Sequence, residues 1–92
     1  MYVILVYDIK TTETSSRVTN GVFKVCKKFL THVQNSVFEG DLSPVQCADL
    51  KIQLKKYLRA SEDSCIMFKS NNEKWLQKEF LTEEDDKTTN LL

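Results

Sequence analysis

Asp8 is the residue whose type and position in this sequence most clearly suit chemistry. It closes the apolar run that begins at Tyr2, and a carboxylate in such a run is costly unless it lies at the water-exposed end or binds a cation. One aspartate supplies too few ligands for Mg²⁺, but a two-fold axis between two copies of the chain would place two Asp8 carboxylates around one hydrated ion. An ordinary exposed aspartate at a strand end is the alternative interpretation.

Basic side chains form a second candidate site, one for phosphate groups. The 13 lysines and arginines balance the 13 aspartates and glutamates, yet the basic residues are concentrated in residues 17–59 and the flanking segments are net acidic. This asymmetry favours a nucleic-acid-binding face within a neutral chain, with solvated surface as the alternative. The candidate contacts are Arg17, Lys24, Lys28, Lys51, Lys55 and Arg59.

Several other kinds of active site are excluded by what the sequence lacks. It contains no glycine-rich phosphate loop, no HExxH motif and no zinc-ligand spacing, and His32 is its single histidine. A serine or cysteine triad needs a base beside its nucleophile, so no such triad is expected. Cys26, Cys47 and Cys65 lie in apolar patterns without CxxC spacing and are interpreted as small core residues.

The length of the chain, 92 residues, corresponds to one domain. A domain of this size buries only a modest core, so a partner subunit would add stability. No stretch reaches the roughly 18 apolar residues of a membrane span, and no secretory signal opens the sequence. We therefore expect a cytoplasmic protein with no membrane partner.

The segment Tyr2–Ile9 predicts a strand, because it is rich in β-branched and aromatic residues and too short for an ordinary helix. Both faces of this strand are apolar up to Asp8, so both must be covered. A polar loop then leads to a helix with an N-cap at Ser15 or Ser16 and an end near Leu30. The helices of so small a chain can cover one face of a sheet, which leaves the other for a second subunit.

Residues 31–42 predict two short strands joined by a tight turn at Asn35-Ser36, with one bent strand as the alternative. Ser43-Pro44 is an N-cap followed by proline at the first helical position, where the missing N–H does no harm. The second helix is predicted to run to about Leu58. Its Lys51, Lys55 and Arg59 follow one another at i, i+4 spacing and form a basic ridge.

The remainder of the chain predicts a strand at Asp63–Lys69, a strand or helical turn at Trp75–Leu81, and an acidic tail over residues 83–92. The order β-α-β-β-α-β predicts an α+β, ferredoxin-like domain over residues 1–82, with both helices on one face of a four-stranded antiparallel sheet. The bare face must be polar, bind a ligand or pair with another sheet. The apolar alternate residues of the first strand favour pairing, and hence a sheet-to-sheet homodimer.

Three segments of the chain closely resemble the family of the second core CRISPR-associated protein, Cas-two. They are the first strand with its closing Asp8, Arg17 at the start of a helix, and LTHVQNSVFEGD at Leu30–Asp41, whose HVQNSVFEG stretch is characteristic of that family. The resemblance continues through the second helix, the EDSCIMF strand and the tail ending in TTNLL. One departure is Thr82, which stands where many members have glycine after the last strand.

The resemblance implies a ferredoxin-like homodimer in which an additional C-terminal strand reaches the partner subunit. It also implies Mg²⁺, or Mn²⁺ in its place, held by Asp8 of both subunits for endonuclease cleavage of single-stranded RNA or of DNA. By the same resemblance, Arg17 would clamp a phosphate and Phe38 would pack or stack against the site, so both join Asp8 as catalytic candidates. Tyr7 and Ser36 match family positions beside them, although Tyr7 and Phe38 are also good core residues.

Two functions follow from this resemblance. As an enzyme, the protein would act with the CRISPR integrase, in a heterohexamer or heterotetramer, during spacer acquisition in antiviral defence. The alternative is a non-catalytic dimeric scaffold of the same complex, which presents its basic helices to DNA while Asp8 is idle. A third and weaker hypothesis is an interaction module that binds no nucleic acid.

Overall fold

Strands and helices follow one another along the chain in the predicted order. The computed structural model of the protein describes residues 1–71 and 79–82. The described strands and helices are β1 (Tyr2–Asp8), α1 (Ser15–Phe29), β2 (Thr31–Gln34), β3 (Val37–Asp41), α2 (Pro44–Lys55) and β4 (Ser64–Ser70). This order is that of two βαβ halves.

The four strands form one antiparallel sheet in the order β2-β3-β1-β4. The central strand is β1, in which Leu5 lies opposite Phe38 of β3 on one side and opposite Met67 of β4 on the other. Residues of both helices join the face of the sheet that carries Leu5 in a single buried cluster. The predicted α+β, ferredoxin-like fold is therefore confirmed.

The buried core lies between one face of the sheet and the two helices. Alternate residues of β1, namely Val3, Leu5 and Tyr7, point into it. The helices bury side chains spaced three or four residues apart, the spacing that places residues on one helical face. These side chains are Val18, Val22, Val25 and Cys26 of α1 and Cys47, Leu50 and Leu54 of α2. The helical periodicity of the sequence thus marks the core-facing stripes.

A glycine sets how closely α1 approaches the end of α2. A Cβ added at Gly21 would lie 2.2 Å from Cδ1 of the Tyr57 ring, far inside van der Waals contact. The ring of Tyr57, which follows α2, therefore occupies the space that a larger residue in α1 would fill. This contact helps to hold both helices against the same face of the sheet.

The opposite face of the sheet, called here the open face, is apolar and covered by neither helix. Tyr2, Ile4 and Val6 of β1 point to it and are half-buried. Ile66 and Phe68 of β4 are 49% and 51% exposed, and they lie directly beside Val6 and Ile4 in the sheet. A continuous apolar surface on neighbouring strands thus contacts water in the single chain.

The start of α1 differs from the prediction. The helix begins at Ser15, with Thr14 in the N-cap position, so neither Ser15 nor Ser16 is the cap. The Thr14 side chain makes no capping hydrogen bond. Its hydroxyl instead accepts a hydrogen bond from Arg59 Nη1 at 3.1 Å. A distant arginine has therefore replaced the local interaction that the sequence pattern predicts.

The start of α2 confirms the predicted N-cap at Ser43, whereas its end differs from the predicted end near Leu58. Ser43 Oγ accepts from the backbone N–H of Gln46 at 3.1 Å, and Gln46 Oε1 accepts from the N–H of Ser43 at 2.9 Å, which completes a capping box before Pro44. The helix ends at Lys55, about one turn before Leu58. Residues after Lys55 consequently do not continue the ridge that helical spacing predicts.

The predicted tight turn at Asn35-Ser36 is confirmed and joins β2 to β3. Asn35 has a φ of 41°, in the left-handed region that asparagine tolerates better than most residues. The buried His32 ring donates a hydrogen bond from Nε2 to the Asn35 carbonyl oxygen at 2.7 Å. This bond ties the turn to the buried His32 side chain. The turn places Ser36 next to the neighbouring strand β1.

The prediction for Trp75–Leu81 lies largely outside the described residues, as does the predicted tail. Glu79–Leu81 belong to no helix or strand. With Thr82, they line a cleft of about 340 Å³ that also borders Ile4 and Val37 on the open face. Among residues 1–71 and 79–82, no helix has the length and apolar character needed to cross a membrane.

Candidate active site at the end of the first strand

Asp8 lies where β1 leaves the sheet. Its position alternates with Tyr2, Ile4 and Val6, so it shares the open face with them, but it is exposed. It pairs in register with Ser64, the first residue of β4. In the described part of the chain, no hydrogen bond or ion pair engages its carboxylate. The carboxylate is therefore hydrated and available to a cation at the border of an apolar surface.

Tyr7 and Ser36 come together beside Asp8. The backbone N–H of Tyr7 donates to the Ser36 carbonyl oxygen at 3.1 Å. Burial raises the pKa of the Tyr7 phenol to about 12, although a hydrogen bond with the Ser36 side chain opposes this rise. The phenol therefore stays protonated at neutral pH. The turn between β2 and β3 is thus tied to the end of β1 one residue before Asp8.

Phe38 lies behind this site, inside the core. Its side chain is 0% exposed. The ring centroid is 6.1 Å from that of Tyr7 and 5.5 Å from that of Phe23, and 4.9 Å from the His32 ring. The Phe38 ring therefore packs beside the Tyr7 ring within the core. A direct contact between Phe38 and a substrate stays a prediction, while its packing next to the site is evident.

Arg17 lies in the first turn of α1 and is exposed. The helix begins seven residues after Asp8, and it runs back along the sheet from the end where β1 stops. Connectivity therefore places Arg17 at the same end of the domain as Asp8. A guanidinium in the first turn of a helix lies near backbone N–H groups that also attract anions.

The predicted lysines of the two helices are exposed, and they lie in a different layer of the domain from Asp8. Lys51 and Lys55 line an apolar cleft of about 180 Å³ between α2 and β4, over the core face of the sheet. Lys28 donates from Nζ to Gln53 Oε1 at 3.2 Å, on the side of α2 that faces α1. The lysines therefore belong to the helical layer, whereas Asp8 belongs to the open face.

Arg59, predicted as part of a basic ridge, points inward instead. Its side chain is 21% exposed and pairs with the carboxylate of Asp63, whose side chain is 0% exposed. Sequence reasoning did not find this pair. The signal for it was the i, i+4 spacing of opposite charges, which also occurs in the turns that follow a helix.

The ligand set in one chain is too small to hold a divalent ion by itself. Among the described residues, no group of three or more histidine, cysteine, aspartate or glutamate side chains is placed to bind a metal. Asp8 supplies one exposed carboxylate, the type of ligand that Mg²⁺ and Mn²⁺ prefer. The donor chemistry therefore fits such an ion only when further ligands come from another molecule.

Comparison with known proteins identifies the family. Residues 1–78 match the family model described as CRISPR associated protein Cas2. The chain is 51% identical over 92 residues to the CRISPR-associated endoribonuclease Cas2 of Fusobacterium nucleatum, covering all of this chain and 87% of that protein. It is 36% identical over 90 residues to a CRISPR-associated endoribonuclease Cas2 of Moorella thermoacetica, covering 97% of this chain and 99% of that protein.

Solved structures agree with these sequence matches. The crystal structure of Streptococcus pyogenes Cas2 at pH 6.5 superposes with a TM-score of 0.72 at 28% identity, covering 87% of this chain and all of that chain. The protein therefore belongs to the CRISPR associated protein Cas2 family. The resemblance carried by the HVQNSVFEG segment is confirmed.

We expect Asp63 to contribute to stability in a pH-dependent way. The hydrogen bond from the Arg59 side chain, with two from backbone N–H groups, lowers the Asp63 pKa from 3.8 to about 2. The folded state thus favours the ionised carboxylate, so this stabilisation is complete above about pH 4 and is lost as the pH falls through about 2. Urea unfolding of the wild type and Asp63→Asn at pH 7, 4, 3 and 2 measures it.

Asp63→Asn should be less stable than the wild type at pH 7 and should lose less unfolding free energy between pH 4 and 2. Asp49→Asn is the matched control, because Asp49 is exposed on α2 and an asparagine there can still accept the hydrogen bond from Gln53. Equal pH slopes in the wild type and Asp63→Asn would contradict the assigned role.

Proposed function

We propose that this protein is a cytoplasmic, metal-dependent endonuclease of the CRISPR adaptation system. It cleaves phosphodiesters of single-stranded RNA or of DNA and acts with the CRISPR integrase in spacer acquisition. The observation that carries the proposal is the exposed, unengaged carboxylate of Asp8 at the border of an apolar sheet face. The names of the relatives from Fusobacterium and Moorella, both endoribonucleases, support the reaction class.

A homodimer formed through the open face would complete the site. Ile66 and Phe68 are about half exposed in the single chain, and burying this apolar surface against a second copy would remove it from water. Two-fold symmetry makes such an interface self-complementary, so each residue near the axis meets its own copy. Asp8 shares this face, and a two-fold axis that passes near the end of β1 would bring two Asp8 carboxylates toward each other.

The two Asp8 carboxylates would hold Mg²⁺, with Mn²⁺ as a substitute. When bound, the ion supplies Lewis-acid activation of water and neutralises charge on the phosphate. Arg17 would hold a nonbridging phosphate oxygen through its guanidinium. The Ser36 hydroxyl and the protonated Tyr7 phenol would fix the end of β1, and Phe38 would support Tyr7 from the core.

Asp8→Asn tests this proposal directly. The change keeps the size of the side chain but removes its charge, so we expect cleavage of labelled RNA or DNA in Mg²⁺ to fall by at least about 100-fold, as for the loss of a metal ligand. Binding of the same substrates should be retained. Cleavage is measured with Mg²⁺ and with chelator, alongside binding on the same samples.

The matched control for this experiment is Asp49→Asn. It makes the same change of charge at an exposed carboxylate of α2, and its cleavage rate should equal that of the wild type. Cleavage that survives in Asp8→Asn, or that does not depend on a divalent ion, would contradict the proposal.

Phe68→Glu tests the homodimer. It would place a carboxylate within the buried interface, where an unpaired charge costs several kcal/mol, so the dissociation constant should rise by at least about 100-fold. Sedimentation equilibrium at micromolar concentration measures this shift. Ile52→Glu is the control, because Ile52 is an apolar residue of α2 that is 61% exposed away from the open face.

Dimerisation should persist in Ile52→Glu and weaken in Phe68→Glu. A dimer that withstands Phe68→Glu would show that the open face is not the interface. A wild-type monomer at micromolar concentration would exclude the shared Asp8 site.

A non-catalytic scaffold is the second candidate function, and the position of the lysines favours it. Lys51 and Lys55 flank the α2–β4 cleft in the helical layer, on the opposite side of the sheet from Asp8. A duplex held there would lie away from the carboxylates. In this function the dimer would present its basic helices to DNA of any sequence, and binding would be independent of Asp8 and of divalent ions.

The scaffold predicts that particular lysines set the salt dependence of duplex binding. Removing one lysine that neutralises a phosphate should reduce the slope of log affinity against log salt by about 0.9. Lys51→Ala with Lys55→Ala is compared with Lys24→Ala with Lys28→Ala by binding at several salt concentrations. If both helices contact the duplex, each double variant lowers the slope by up to about 1.8, because each removes two phosphate contacts. An unchanged slope in one variant would remove that helix from the footprint, and unchanged slopes in both would contradict the scaffold.

A further inference from the structure

The guanidinium of Arg59 has no donor left for a phosphate. Arginine carries five N–H donors, and five acceptor contacts surround this side chain. Nε and Nη2 donate to the two carboxylate oxygens of Asp63 at 3.0 and 2.9 Å, in the bidentate geometry that makes such pairs strong. Nη1 donates to the hydroxyls of Thr12 and Thr14, and Nη2 also donates to the Lys10 carbonyl oxygen at 2.8 Å.

Asp63 holds this arginine in place and reaches the same loop. Its Oδ2 accepts a further hydrogen bond from the backbone N–H of Arg59 at 2.9 Å, and its Oδ1 accepts from the N–H of Lys10 at 3.2 Å. The neighbouring Glu62 forms an ion pair with the Lys10 ammonium at 3.3 Å. Arg59, Glu62 and Asp63, which lie between α2 and β4, thus all contact the loop between β1 and α1.

The loop held in this way, residues 9–14, joins the two candidate catalytic residues. Asp8 precedes it at the end of β1, and Arg17 follows it in the first turn of α1. Apart from contacts with Arg59 and Asp63, the loop is held by the Lys10–Glu62 ion pair and a weak Thr12–Thr14 contact. The start of α1 adds hydrogen bonds from Ser15 to the Thr12 carbonyl oxygen and from the Val18 N–H to the Thr14 carbonyl oxygen. Arg59 and Asp63 therefore supply most of the hydrogen bonds that fix this connection to the rest of the domain.

We infer that Arg59 is a positioning residue, which fixes the loop 9–14 and thereby the relative placement of Asp8 and Arg17. This inference rests on the proposed nuclease function and deepens it. Arg59 acts through the loop and does not contact nucleic acid. A small displacement of either end of the loop would misplace a carboxylate relative to a phosphate clamp, and misplacement of about 1 Å can cost about 100-fold in rate.

Arg59→Lys tests the inference, because one ammonium cannot replace a planar fork with five donors. We expect hydrogen exchange to become at least about tenfold faster at the Lys10 and Ser15 amides, whose N–H groups donate to Asp63 Oδ1 and to the Thr12 carbonyl oxygen, as the loop loses its fixing bonds. The single-turnover cleavage rate at saturating protein should fall by about tenfold or more. The affinity for single-stranded RNA and its salt slope are measured with Arg59→Gln, because lysine would keep the charge that sets the slope, and neither quantity should change.

Two further variants separate positioning from a general loss of stability. Thr12→Val keeps the shape of the side chain but removes the hydroxyl that Arg59 Nη1 bonds, whereas Thr12→Ser keeps the hydroxyl. We expect Thr12→Val to accelerate exchange in the loop and slow cleavage, and Thr12→Ser to behave as the wild type. Thermal unfolding is recorded for all variants, and rates are compared at a temperature where each is folded.

The outcomes distinguish the inference from its alternatives. A weaker affinity with a salt slope reduced by about one in Arg59→Gln would make Arg59 a phosphate ligand and overturn the inference. Unchanged exchange would show that Arg59 does not fix the loop, and a loosened loop with an unchanged rate would show that the loop does not position Asp8. If the wild type itself does not cleave, the proposed function fails and the positioning role fails with it, whereas the exchange and affinity measurements still report what Arg59 holds.

Discussion

A strand that is apolar on both faces must be covered on both, and two helices can cover only one face of a four-stranded sheet. In this protein the strand is β1, at the centre of the sheet, and its Val3, Leu5 and Tyr7 take the covered face. The remaining face keeps Ile4 and its neighbours on β4 in contact with water. The domain therefore leaves an apolar surface on which a second copy is proposed to pack.

The same constraint separates the two kinds of charge. Asp8 emerges on the open face, where the apolar pattern of β1 ends, while Lys51 and Lys55 belong to the helical layer across the core. Had these groups been adjacent, they would have formed ion pairs and neutralised one another, leaving neither for a cation or a phosphate. Distance across the domain leaves Asp8 unengaged within the described residues. A metal site and a nucleic-acid surface can thus occur on one small domain of zero formal net charge.

Local patterns predicted the parts of the fold that depend on neighbours in sequence. The alternation in β1, the N-cap at Ser43 and the turn at Asn35-Ser36 each rest on residues within a few positions of one another, and each is confirmed. The HVQNSVFEG segment is also local, and its resemblance to a family motif indicated the family that the comparison confirms. The position of Asp8 at the exposed end of β1 was also predictable, because the strand's period of two assigns its face. What the sequence pattern could not supply was the set of partners for each charged side chain.

Arg59 shows why the sequence pattern could not supply the partners of a charged side chain. Spacing of i, i+4 from Lys55 predicts an exposed ridge only while the helix continues, and α2 ends at Lys55, where the N–H groups of Tyr57 and Leu58 both turn back to the Leu54 carbonyl oxygen. Beyond that point the backbone directs the Arg59 side chain toward the loop after β1. A sequence records a positive charge at this position, but phosphate binding requires a free N–H donor as well as charge. Because all five donors of Arg59 have acceptors within the domain, its charge serves the arrangement of the loop and not the attraction of a ligand.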